Sequence, residues 1–499
     1  MVEPSRFRGW FAATALLGVV GCTSPPPSAG LAGARAVPSP ATRPVGSRPA
    51  DEPCGLPDEP TLDDYLRYAA LNNPGLEAAF DRWKAALERI PQARALPDPR
   101  FTCRYFIEKV ETRVGPQQQA ASLSQMFPWF GTLTLAGGIE VEHAAAARQR
   151  YEMARLRLVY EVAQAYYEYH YLWRAIAITR ENVQLLEYLE KVVRTRYKAA
   201  AAGQPDLIRV QVEWGKLRDR LAALQDFRQP LVARLNAALN RPTDEPRPWP
   251  RSAPERPMDA TDEQVLAWLQ QDNPELKALA HEIERRRQAV RLARTEYFPD
   301  VTLGVDYTDV GSAWRSRPQP FGSPAAQRGA VRLAQNMGDA LDLYNIGRSF
   351  LPGSAPNDSG KDVWMAWLSI NVPIWHQKYR AGVREAQQEY VAAARTRTDR
   401  QNVLAAEVRM ALYNVRDAQR RLRLYQRQLI PLARQSLKVH EAAFRAAKAG
   451  SLDLVDAERV LLEFQLAAER ARVDRAIQIA RLEMLVGRRI PATADAPKR

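Results

Sequence analysis

The sequence predicts a mainly helical protein with a small β part, laid out as two copies of one plan. Three observations predict it. Long proline-free segments carry apolar residues at spacings of three and four. Short segments between them alternate apolar and polar residues, and the landmarks of the first half return in the same order in the second.

At the N-terminus, Arg6 and Arg8 precede an apolar run from Trp10 to Val20. The run is too short to span a bilayer as a helix and suits the core of a signal peptide. It ends in Val-Val-Gly-Cys, so residues 1–21 read as a signal peptide and Cys22 as a lipidated cysteine. Ordinary cleavage and an apolar N-terminal helix are the alternatives. Residues 22–60 are rich in Pro, Ser and Ala and read as an extended tether. The chain of 499 residues holds 71 basic and 57 acidic side chains, a net +14, which alone would suggest nucleic acid or an anionic surface. Export argues against a nucleic-acid partner. With 46% apolar and 26% charged residues the chain is not a disordered one. Cys54 and Cys103 have no C-x-x-C spacing; they read as two small residues in preference to a disulfide.

The first copy runs over 61–240, a linker rich in proline over 241–260, the second copy over 261–487, and a tail over 488–499. Thr61 and Thr261 each open a helix, with Asp64 and Gln264 placed as capping-box partners. Asn73-Pro74 and Asn273-Pro274 match at the same offset. Leu-Ser at Leu123 and at Leu368 match at a larger one, which places the main extra length between Asn273 and Leu368. From Thr132 to Ala202 there is no proline, and Leu158, Val162, Tyr166, Tyr169, Trp173 and Ile176 recur at helical spacing. As one helix that span would be ~100 Å long at 1.5 Å per residue. Its counterpart, His376 to Ala449, contains Pro431, which should kink or break it. Each long helix is followed by a similar phrase: Tyr197, Gly203 and Asp206 in one, Phe444, Gly450 and Asp453 in the other. This reads as a helix stopping at glycine and a return helix starting at an Asp N-cap, over Asp206 to Asn240 and Asp453 to Val486.

Four alternating segments sit between the helices, at Phe101, Gln119, Asp300 and Val363. In the third, Val301, Leu303, Val305 and Tyr307 oppose Thr302, Gly304, Asp306 and Thr308. About ten residues is the length of a transmembrane barrel strand. Four strands cannot close a barrel, and an open edge facing lipid would leave backbone groups unsatisfied. In a membrane, several chains would have to share one barrel; in water, the same strands would be a sheet beside helical hairpins.

The joint pattern of Asn-Pro-x-Leu twice, Leu-Ser with a proline before a long helix twice, and the Leu-Asp-Leu-Val-Asp-Ala-Glu-Arg-Val-Leu-Leu-Glu phrase from Leu452 to Glu463 resembles the outer-membrane efflux protein family typified by TolC. It looks closest to the heavy-metal channels of the cobalt-zinc-cadmium and copper-silver types. The resemblance covers Thr61 to Val486. It implies a homotrimer whose strands share a twelve-stranded barrel in the outer membrane, in contact with its lipid, continued by a tube of helices across the periplasm. That tube docks a periplasmic adaptor leading to an inner-membrane pump of the RND type. The implied role is a passive exit duct, without catalysis, cofactor or metal site of its own. Asp206, Asp453 and Asp456 match the family's acidic positions at the periplasmic gate, where acidic rings select cations. As N-caps, Asp206 and Asp453 would have a plainer role compatible with that one. Tyr197, Ala200, Gly203, Phe444, Ala447 and Gly450 would form the adaptor-docking tips. Ala200 and Ala447 stand where the family usually has glycine.

The competing readings are a lipoprotein scaffold of coiled coils without a pore, a protein-secretion duct of type I, and an exported enzyme. The five histidines are scattered, with no H-E-x-x-H, and Leu135-Ala-Gly-Gly-Ile-Glu lacks a phosphate-loop lysine. The tyrosines at 166, 167, 169 and 171 read as helix packing, and Arg285 to Arg287 as a solvated helix face. Within Gly311 to Asp362, Leu333, Met337, Leu341 and Tyr344 suit an amphipathic helix covering a barrel mouth.

Overall fold

The structure, a computed structural model, describes residues 56–112, 114–200, 202–250, 258–311, 358–446 and 448–491. The signal peptide, Cys22, Cys54, most of the tether, Ala447, and the helix expected from Leu333 to Tyr344 lie outside the described residues.

The two copies fold alike. Helix α1 (Leu62–Asn72) turns at Asn73 into α2 (Pro74–Arg94). After strands β1 (Arg100–Tyr105), β2 (Glu111–Thr112) and β3 (Gly115–Phe127), α3 (Thr132–Lys198) runs unbroken for 67 residues. It returns as α4 (Gln204–Asp226) and α5 (Arg228–Ala238). The second copy repeats this as α6 (Asp262–Asp272), α7 (Pro274–Thr295), β4 (Val301–Val310), β5 (Val363–Ile370), α8 (His376–Leu424), α9 (Ile430–Arg445) and α10 (Ser451–Val486).

Both Asn-Pro corners use one device. Pro74 and Pro274 sit in the first turn, where no backbone donor is needed. Asn73 Oδ1 accepts from Leu76 N at 3.0 Å and Asn273 Oδ1 from Leu276 N at 2.8 Å. Their amide groups reach in the other direction, Asn73 Nδ2 donating to Ala238 O and Asn273 Nδ2 to Leu485 O. Each corner is thereby bound to the end of its own copy's return helix. The expected capping boxes at Thr61 with Asp64 and Thr261 with Gln264 are both present. Two related cores lie under these corners. Tyr65, Ala69 and Leu76 pack with Val162, Leu235 and Val473; Val265, Leu269 and Leu276 pack with Val408, Leu412 and Leu482. Burying each Leu or Val contributes roughly 1.5–3 kcal/mol.

The long helices break where proline demands it. Before Pro431 the chain widens into one π-turn, Tyr425–Leu429, because a residue without an N–H cannot continue the α ladder. The first return helix differs from its expected single span: it breaks at Phe227, ahead of Pro230. Gly137 and Gly138, inside α3, accept close neighbours on two sides. A Cβ at Gly137 would fall 2.4 Å from Arg94 Cγ of α2, and one at Gly138 would fall 2.2 Å from Gln288 Oε1 of α7.

The four long strands form one antiparallel sheet in the order β1-β3-β4-β5, with the two-residue β2 added as a small hairpin on β3. Register aligns Phe101, Leu123, Val305 and Ala366 in one row, and Cys103, Ala121, Tyr307 and Trp364 in the next. The opposite face carries the row Thr102, Ser122, Asp306 and Met365.

Within linker residues 241–250, the end nearest Arg247 to Pro250 is packed. Arg247 is buried and Trp249 stacks on Tyr169 at 4.8 Å. The tyrosines of α3 are packing residues as expected, with Tyr169 Oη donating to Arg247 O. Arg285 and Arg286 depart from the expected solvated face: both grip Glu282, and Arg286 also reaches Glu389, joining α7 to α8.

Candidate functional site

At the end of the bundle remote from the sheet, the two hairpin turns lie side by side. The helices stop earlier than the glycines that seemed to end them: α3 is capped at Ala199 and α9 at Ala446. Gly203 and Gly450 are instead the N-cap residues of α4 and α10. Asp206 and Asp453 occupy the third helical position, so the expected Asp N-caps are corrected. Their carboxylates reach back to the glycine N–H groups, Asp206 Oδ2 to Gly203 at 3.3 Å and Asp453 Oδ2 to Gly450 at 3.2 Å. Glycine has no side chain to accept from the first turn, so only the aspartate half of a capping box forms.

Asp206 has a second task. Ser451 Oγ donates to its Oδ1 at 2.7 Å, latching the first turn to the start of α10. Arg196 reinforces the pairing: its guanidinium lies 4.4 Å from the centre of the buried Phe444 ring and donates to Arg445 O. Tyr197 is exposed beside them. Asp453 and Asp456 point to solvent, the latter 3.4 Å from Arg459. Ala200 has φ 53, the left-handed region that glycine adopts without cost.

Two acids beneath the tips escaped the sequence reading. Glu190 of α3 accepts from Arg194 and from Gln211 Nε2 of α4. Glu458 of α10 is 2% exposed, and its Oε1 has no hydrogen-bond partner among the described residues. Burial, and then the charge of Glu213, push its carboxyl up to about 7. Its signal was a glutamate on the apolar stripe of Leu454, Leu461 and Leu462.

At the other end, the sheet exposes an apolar face. Phe101 is 66% exposed, Trp364 70% and Leu368 59%. The opposite face carries Met365 and Val363 on β5 but is largely polar on the other strands and internally bonded: Ser122 Oγ and Trp367 Nε1 both donate to Asp306 Oδ1, at 2.5 and 3.1 Å. Gly304 leaves the space over which the Trp367 ring lies, since a Cβ there would meet Trp367 Cε2 at 2.2 Å. Strands β1 and β5 end the sheet with unpaired edges. Among the described residues no helix is long and apolar enough to cross a membrane, and no group of three or more His, Cys, Asp or Glu is placed to hold a metal.

A sheet with one exposed apolar face and one polar face, set at one end of a doubled helical bundle, is the subunit plan of an outer-membrane channel. The family model described as outer membrane efflux protein matches residues 66–241 and 265–488. The chain belongs to this family. The outer membrane efflux fold recurs in solved structures. CusC, from a study of its folding and transmembrane channel formation, shares 15% identity at a TM-score of 0.68, covering 90% of this chain and 97% of that one. VceC of Vibrio cholerae shares 17% at 0.65, with 86% and 97% covered. The open-state channel MtrE of Neisseria gonorrhoeae shares 17% at 0.65, with 86% and 89% covered. No curated protein matches the chain.

Proposed function

We propose that this efflux-family chain is the passive exit duct of a three-part exporter, assembled as a homotrimer in the outer membrane. The observation that carries it is the two-faced sheet with two open edges. An apolar face meets lipid without cost, while unpaired backbone edges do not. Edge pairing of β1 with β5 of the next copy removes them, and three copies give twelve strands. The polar face, with Thr102, Ser122 and Asp306, lines the lumen. The helices extend into the periplasm, where the tips dock an adaptor linked to an inner-membrane pump of the RND type. Residues 1–21 direct export and Cys22 carries the lipid. The resemblance of its sequence to the heavy-metal channels favours metal cations as cargo.

The tip residues divide by role. Asp453 and Asp456 present charge to the tube mouth, whereas Asp206 with Ser451 is the latch between the two hairpins. Single-channel recording in planar bilayers tests both. Neutralising Asp453→Asn with Asp456→Asn lowers cation selectivity, and Ser451→Ala raises open probability without changing selectivity. A protein that is monomeric in detergent and never conducts, in any of these forms, overturns the shared barrel in favour of a pore-less scaffold.

A further inference from the structure

Away from both ends, a cavity of about 390 Å³ opens between α1, α3 and α10. It lies in the size range of ligand pockets, roughly 300–1,000 Å³. Its wall is apolar where Leu66, Val159, Ile479 and Met484 line it, above the buried Ala163 and Tyr167. Six arginines also line it, Arg67, Arg155, Arg472, Arg475, Arg488 and Arg489, against a single acid, Glu483.

Four of these arginines have ion-pair partners. Arg155 pairs with Glu152 at 2.9 Å, Arg472 with Glu469 at 2.9 Å, Arg488 with Asp272 at 3.3 Å and Arg489 with Asp63 at 3.9 Å. None of those four acids lines the cavity, whereas their arginine partners do. A guanidinium has five donors in a planar fork, and one ion pair leaves N–H groups to spare. Positive charge collected around an apolar hollow is complementary to a ligand with an anionic head and an apolar body.

We propose that this cavity binds an anionic amphiphile, a molecule with a phosphate or carboxylate headgroup and an alkyl chain. The head is held between Arg67 of α1 and Arg155 of α3, and the chain lies against Leu66 and Ile479. The site is independent of the duct itself: it is in the wall of the bundle, made by α1, α3 and α10 of one chain.

The test uses full-length protein in zwitterionic nanodiscs, with octyl phosphate as the probe. Octanol serves as its neutral twin and inorganic phosphate as the head alone. Octyl phosphate raises the unfolding temperature saturably, while the two controls leave it unchanged. The double variant Arg67→Gln with Arg155→Gln keeps the unliganded melting temperature and weakens half-saturation by about tenfold or more, since two charge-assisted contacts are lost. Ala480→Trp fills the hollow and abolishes the shift. An equal response in wild type and both variants overturns the proposal, as does no response in wild type. A shift produced by octanol reduces the site to an apolar groove, and one produced by inorganic phosphate reduces it to a simple anion site; either result also overturns it.

Discussion

Ala200 shows how a single residue departs from what its backbone prefers. At φ 53 its Cβ crowds the following carbonyl, at a cost of roughly 1–2 kcal/mol for a non-glycine residue. Ala200→Gly removes that strain, partly offset by the greater freedom of glycine in the unfolded chain, for a net gain on the order of 0.5 kcal/mol. Slower hydrogen exchange at residues 195–206 checks it; faster exchange would show the alanine is not strained. Glu458 acts through its proton. Its folded carboxyl, raised by burial to about 7, keeps a proton that the unfolded group gives up near its ordinary value of 4.5. Stability therefore falls as pH rises from 4.5 to 7 and is flat outside that window, by roughly 3 kcal/mol in total. Glu458→Gln abolishes the slope, measured as protection of residues 451–462 at pH 5 and pH 8; an unchanged slope would assign the pH response to another group. The glycines and aspartates of the tips were visible in the sequence, but their division of labour was not. Which residue caps a turn depends on where the preceding helix stops, and local composition leaves that uncertain by several residues.

Elements were more legible than residues wherever one physical rule dominated. Threonine capping boxes declared the starts of α1 and α6, because an N-cap is decided within four residues. The break at Phe227 was passed over since Pro230 stood inside an otherwise helical pattern, where a kink and a stop look alike. The tertiary half of the corner device was invisible, for nothing local says that Asn273 Nδ2 donates to Leu485 O at 2.7 Å. That half is separable by mutation. Asn273→Asp keeps the oxygen that caps α7 and loses the donor, leaving a buried carbonyl unpaired at about 1–3 kcal/mol. Asn273→Ala loses the cap as well, a further ~1 kcal/mol. Thermal denaturation of the two variants should rank them in that order, and equal melting points would show that the cap contributes nothing.

For the whole molecule the decisive quantity is which side of the sheet meets lipid. Alternation in the sequence proposed two faces, and the register made them continuous across all four strands, Phe101 to Ala366 on one side and Thr102 to Met365 on the other. Sequence alone did not bring the rows together, because pairing β3 with β4 joins segments from different copies of the repeat. Cys103 and Arg104 make the assignment measurable, being neighbours on the edge strand β1 that face opposite sides. Cys103 is exposed and unbonded, so it takes a nitroxide label directly once Cys54 is replaced by serine. In proteoliposomes the label at Cys103 should collide readily with oxygen, which concentrates in hydrocarbon, and poorly with a water-soluble nickel chelate. A label at Arg104→Cys, with Cys103 also replaced by serine, should show the reverse, since a lumen-facing site is wet. Because side-chain direction has a period of two, the contrast must invert between adjacent positions in a barrel wall. Equal access of the nickel chelate to both positions would place the sheet in water, and with it would go the reason for three copies to close around a pore.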